Sequence, residues 1–103
     1  MGESHFEKLR RLHRELHNRL THYRYNRQQR LDERYRKGRI DALEWLCRLV
    51  EHYLEEEKRL DRRLHLHLEE ERRRIRWLPA SPYREGIEES LGEFYRLLDD
   101  KRG

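Results

Sequence analysis

Apolar side chains recur along the chain at three- and four-residue steps, beginning with Phe6, Leu9, Leu12, Leu16, Leu20 and Tyr23. That spacing places them on one face of an α-helix. Ser4, with Glu7 three places on, has the form of a capping box, so the pattern predicts a first helix over about 4–37. Its second half loses the apolar face. Arg27 and Arg34 take the next positions of the stripe, with Leu31 and Tyr35 near its edge.

Gly38 follows a basic turn (Arg34, Arg36, Lys37), and Asp41 with Glu44 has the form of a second capping box. A helix end beside a helix start predicts a tight turn at Gly38 and an antiparallel hairpin. The second helix is then expected over about 42–77. Its stripe is Leu43, Leu46, Val50 and Leu54, interrupted by Glu57 and Asp61, and then Leu60, Leu64, Leu68 and Ile75. Residues 64–68 alternate Leu and His as a strand would, but they lie between strong helix formers and have no strand to pair with, so helix is expected. Pro79 and Pro82 break the pattern. Ser81 is placed to cap a third helix over about 82–98, with Pro82 in its first turn and Tyr83, Ile87, Leu91, Phe94 and Leu98 as its stripe.

The expectation is one all-α domain over 1–103, a long hairpin plus a shorter third helix. Seventeen residues of helix reach about 25 Å. A third helix folding back from Pro79 therefore leaves the hinge half of the second helix uncovered. Leu43, Trp45, Leu46, Leu49, Val50 and Tyr53 spread there over an arc too wide for one neighbour. An apolar surface of that kind predicts a protein interface, met most economically by a two-fold helical-bundle homodimer.

Composition sharpens this picture. Charged residues make up 45% of the chain and hydrophobic ones 34%, which suits long solvated helices. No apolar run is long enough to cross a bilayer, and a cytoplasmic protein without a membrane span is expected. Residues 1–40 hold twelve Lys/Arg against five Asp/Glu, so the positive field belongs to the first helix. Arginine interleaves with aromatic and amide side chains from Tyr23 to Arg30, types that grip phosphates and stack on bases. The candidate nucleic-acid face is Arg19, Tyr23, Arg24, Arg27, Arg30, Arg34, Arg36 and Lys37. The competing reading is a solvated face of surface ion pairs, each worth about 0–1 kcal/mol. Pairing about a turn at Gly38 also brings Arg27 within reach of Tyr53 or Glu57, which would explain both interruptions of the stripe as a charged seam.

Candidate chemistry is sparse. The same pairing puts His67 opposite His13 and His17, three imidazoles without the Glu-x-x-His pattern of a helical metal site. Cys47 is the sole cysteine and reads as a small buried apolar residue. No glycine-rich phosphate loop and no nucleophile-base pair of recognisable spacing is present. The carboxylate runs 55–57 and 69–71 read as helix-face ion pairs. The expected function is non-enzymatic, with no cofactor and no small-molecule substrate: an oligomeric helical protein whose basic first helix engages nucleic acid or another polyanion. An acidic protein is a further candidate partner for that helix, and a protein-interaction module (adaptor, assembly factor or inhibitor) using the apolar hinge patch without nucleic acid is the alternative.

Overall fold

The computed structural model describes residues 4–25, 32–56 and 62–99. It is all-helical: α1 His5–Tyr25, α2 Glu33–Glu55, α3 Arg62–Arg76 and α4 Pro82–Asp99. No strand is present among the described residues. Residues 64–68 are helical, with Leu64 and Leu68 buried and His65 and His67 exposed.

The capping signals at the ends of the chain hold. Ser4 Oγ accepts from the Glu7 amide at 3.1 Å while Glu7 Oε2 accepts from the Ser4 amide at 3.3 Å. Ser81 Oγ accepts from the Arg84 amide at 3.2 Å, and Pro82 opens α4, where its missing donor costs no helical bond.

Gly38 overturns the hairpin turn. α2 runs straight through it from an N-cap at Asp32 to a C-cap at Glu56, so the helices expected over 4–37 and 42–77 do not have those bounds. The N-cap of α2 is Asp32, whose carboxylate accepts from the Arg34 amide at 2.8 Å. The hydrogen bond from the Arg34 guanidinium, together with that amide bond, holds the Asp32 carboxyl below its ordinary range. Asp41 and Glu44 lie inside α2 and cap nothing. Gly38 is there because α4 crosses α2 at that point. A Cβ on Gly38 would stand 2.0 Å from the Tyr83 carbonyl oxygen, and one on Gly86 would stand 2.2 Å from that of Tyr35. The two backbones meet where neither has a side chain.

α1 and α2 pack side by side and antiparallel. His13 meets Glu51 at 2.9 Å and Arg24 pairs with Glu44. α2 is the central helix, with α1 and α4 packed on it, because its apolar residues spread over a wide arc. α4 also touches α1, where Lys8 Nζ donates to the Leu98 carbonyl at 2.6 Å and so satisfies the end of the helix. α3 packs chiefly on α4. Leu9, Leu12, Leu16, Leu43, Leu46, Val50, Leu64, Leu68 and Phe94 form the centre of the core.

Tyr83 ties α4 to α2. Its hydroxyl donates to Asp41 Oδ2 at 2.6 Å, and this bond, with burial, pushes the phenol up to about 12. A folded pKa raised above the unfolded value of about 10 means that this contribution to stability is complete below pH 10. It is lost as pH rises through about 12. Phenolate absorbance should therefore show a late ionisation step near pH 12 that Tyr83→Phe removes.

Candidate functional site

The basic face anticipated on the first helix is spent inside the molecule. Arg19 lies 3.2 Å from Glu15 and 3.4 Å from Glu93. Arg24 pairs with Glu44, a hydrogen bond that raises the arginine's pKa. Arg34 pairs with Asp32 at 3.3 Å, and Lys37 with Asp41 at 3.3 Å. Arg36 donates from Nε to the Tyr23 carbonyl at 2.5 Å and from Nη2 to the Arg24 carbonyl at 2.8 Å, closing the C-terminus of α1. Tyr23 is half-buried beneath the Arg39 guanidinium, 4.6 Å from its ring centre. Arg27, Arg30 and Glu57 lie outside the described residues. Each described cation of this face thus has a local partner, and the ion-pair reading is the one the geometry supports.

The hinge patch is covered as well. Leu43, Leu46, Val50 and Tyr53 are at most 3% exposed, and Trp45 and Leu49 are half-buried against the same core. The coverage comes from α1 together with α4, which crosses onto α2 instead of folding back along only the far half of a long second helix. The homodimer built on that patch loses its basis.

The histidines do not converge. His13 and His17 stack with ring centres 6.2 Å apart, but His13 faces Glu51, and α3, which carries His67, makes no packing contact with α1. No group of three or more potential metal ligands assembles among the described residues. Cys47 is buried, and desolvation pushes its thiol up to about 11, the opposite of an activated nucleophile.

Two buried arginines escaped the sequence reading, Arg11 and Arg39, and Arg39 carries a buried ion pair. Arg39 is 2% exposed, with Nη2 2.8 Å from both oxygens of Glu93. Burial opposes its charge, yet the Glu93 hydrogen bond and field outweigh burial and leave its pKa raised. Nε and Nη1 have no hydrogen-bond acceptor and lie instead over Tyr23. The sequence does hold a signal for it. Once α2 is continuous, Arg39 falls in line with Tyr35, Ala42, Leu43 and Leu46.

The arrangement best suited to a ligand lies between α3 and α4, a groove of about 400 Å³. Arg72 and Arg76 approach from α3 and Arg84 from α4; Ile75, Leu91 and Gly92 form its floor, and Tyr95 closes one side. A Cβ on Gly92 would meet nothing nearer than an Arg96 nitrogen at 3.9 Å, so this glycine leaves the floor open. Tyr95 is fixed from α3: its hydroxyl donates to Glu69 at 2.8 Å, His65 stacks beside it, and the Arg72 guanidinium sits 5.4 Å from its ring centre. Burial, then the bond to Glu69, raises the Tyr95 pKa. Glu88, the one acid in the lining, already accepts from Arg84 Nε at 2.7 Å. Arg84 Nη1 donates to the Leu78 carbonyl at 3.1 Å, which aims the guanidinium along the groove. Arg76 is exposed and makes no ion pair among the described residues.

The periodicity that identified α3 does not reveal this groove, because it requires α3 and α4 to be neighbours in a definite register. Comparison with protein-family models, curated proteins and solved structures finds no match for this chain. Among the described residues no helix is long and apolar enough to cross a membrane.

Proposed function

We propose that this chain is a non-enzymatic binding protein for a single-stranded nucleic acid, held in the groove between α3 and α4. The observation that carries the reading is the convergence of Arg72, Arg76 and Arg84, from two helices, on a concave surface with an aromatic side and an apolar floor. Guanidinium groups match phosphate oxygens in a planar, two-pronged geometry that an ammonium lacks. Tyr95 and the Arg72 plane offer stacking surfaces, and base stacking on such groups is indifferent to sequence. The reading keeps the polyanion partner suggested by the basic composition and moves it from α1 to α3 and α4. There the acid in the lining is already neutralised by Arg84.

Binding should be dominated by phosphate contacts and fall with salt. Three contacts to a single strand give a slope near −2 in log K against log salt, a loss of about 20-fold between about 50 and about 200 mM. Fluorescence anisotropy of a labelled oligonucleotide measures this. Arg76→Ala should weaken binding several-fold and lower the slope by about 0.7. Arg14→Ala, on the exposed face of α1, should leave both unchanged. No binding at the lower salt, or equal losses for the two variants, would show that the groove is not the site.

A further inference from the structure

The outer face of α3 carries a separate pattern. Leu66, Glu70, Arg73 and Trp77 fall within an arc of roughly 60° on a helix, opposite Leu64, Leu68 and Ile75, which are buried against the body. Leu66 is 54% exposed and Trp77 is 90% exposed, the most exposed large apolar side chain described. Glu70 and Arg73 are exposed and form no ion pair among the described residues, although α3 is otherwise rich in local pairs such as Arg74 with Glu71. Trp77 continues the helical turn, its amide donating to the Arg74 carbonyl at 3.1 Å. The steps of four, three and four residues are those of a coiled-coil seam. These four positions have no partner among the described residues.

The order along this seam is apolar, acidic, basic, apolar, which is complementary to its own reverse. A parallel pairing of two copies would set Glu70 against Glu70 and Arg73 against Arg73. An antiparallel pairing, with a two-fold axis between residues 71 and 72, sets Glu70 against Arg73 and Leu66 against Trp77, each twice. Both arrangements use the same patch on each copy, but only the second is attractive at every position. We propose that the chain self-associates through this face as an antiparallel α3–α3 pair, with Trp77 of each copy covering Leu66 of the other.

None of the four residues lines the groove, so the proposal stands independently of nucleic-acid binding, and pairing would set two grooves side by side across the axis. Four seam residues per copy fall well short of the roughly 20–30 that each partner contributes to a standard interface. The association is therefore expected to be weak and dependent on concentration.

Sedimentation equilibrium between about 10 µM and about 1 mM protein, a range that covers dissociation constants of that order, should show the mass rising toward twice that of the chain. Glu70→Arg and Arg73→Glu should each weaken association at least tenfold, because each makes the seam uniform in charge. Mixing the two variants should restore the doubled mass, since one seam is then all basic and the other all acidic. The double variant Glu70→Arg/Arg73→Glu should associate by itself, and Trp77→Ala should not. All these positions are exposed, and unchanged circular dichroism will confirm that the fold is retained. A wild-type chain that stays monomeric over the whole range overturns the proposal. So does a single charge variant of unchanged mass, or a mixture of variants that does not associate.

Discussion

Alanine at Gly86 is expected to cost the protein about 3 kcal/mol, the upper part of the range for overpacking, and alanine at Gly38 at least as much. In an ordinary helix interior the same change stabilises by up to about 1 kcal/mol, so the sign itself is diagnostic. The added methyl would stand 2.2 Å from the Tyr35 carbonyl oxygen in one case and 2.0 Å from the Tyr83 carbonyl oxygen in the other. Both obstacles are backbone, so α2 and α4 must separate. For a domain of this length the loss corresponds to a fall in Tm of about 12–24 °C, measurable by thermal circular dichroism. Gly92→Ala supplies the contrast. Its Cβ would meet only the Arg96 side chain, at an ordinary contact distance of 3.9 Å, and Tm should rise slightly. A Gly38→Ala variant as stable as the wild type would mean that α4 does not cross α2 at this point.

The second large effect concerns the buried charge. Glu93→Ala should destabilise by about 3–5 kcal/mol, because it leaves the Arg39 guanidinium buried without its carboxylate. Arg39→Met should cost less than half of that. It keeps most of the volume, and Glu93 is partly exposed and retains Arg19 at 3.4 Å. The double variant should be more stable than Glu93→Ala alone, a non-additivity expected of groups in direct contact. Chemical denaturation of the three variants measures these differences. Equal costs for the two single changes would show that Arg39 acts through packing alone.

Much of the fold is legible in local pattern. The stripes from Leu9 to Leu20 and from Ile87 to Leu98 are those that the structure buries, and the caps at Ser4 and Ser81 form as their spacing suggests. Gly38 is where local reading misleads. A glycine after Arg36 and Lys37 satisfies every requirement of a helix C-terminus, yet the same residue suits a helix interior that another backbone must touch. The deciding partner, Gly86, lies 48 residues away, and no window of periodicity connects the two. Moving the turn changed the register, and the assignments that depended on register among the described residues went with it: His67 opposite His13, and the uncovered hinge patch.

The candidate site divides in the same way. A chain rich in arginine was legible as basic, but which arginines stay available depends on where the acids lie in space. Glu44, Asp32 and Asp41 neutralise Arg24, Arg34 and Lys37, while Arg76 keeps no such neighbour among the described residues. The run of arginines from Arg72 to Arg76 reads as helix-face pairing with residues 69–71, and for Arg72 with Glu69 and Arg74 with Glu71 it is. The groove becomes visible only once Gly92 and Tyr95 are placed opposite Arg72.

Location of the bound strand on the surface bears most directly on the functional reading. Amide and arginine side-chain resonances of isotopically labelled protein, followed by NMR during titration with a short single-stranded oligonucleotide, report it residue by residue. The groove predicts shifts concentrated at Arg72, Arg76, Arg84, Gly92 and Tyr95, with Arg19, Arg24 and Lys37 unmoved. Shifts centred on α1 and the start of α2, or none at saturating oligonucleotide and low salt, would contradict it.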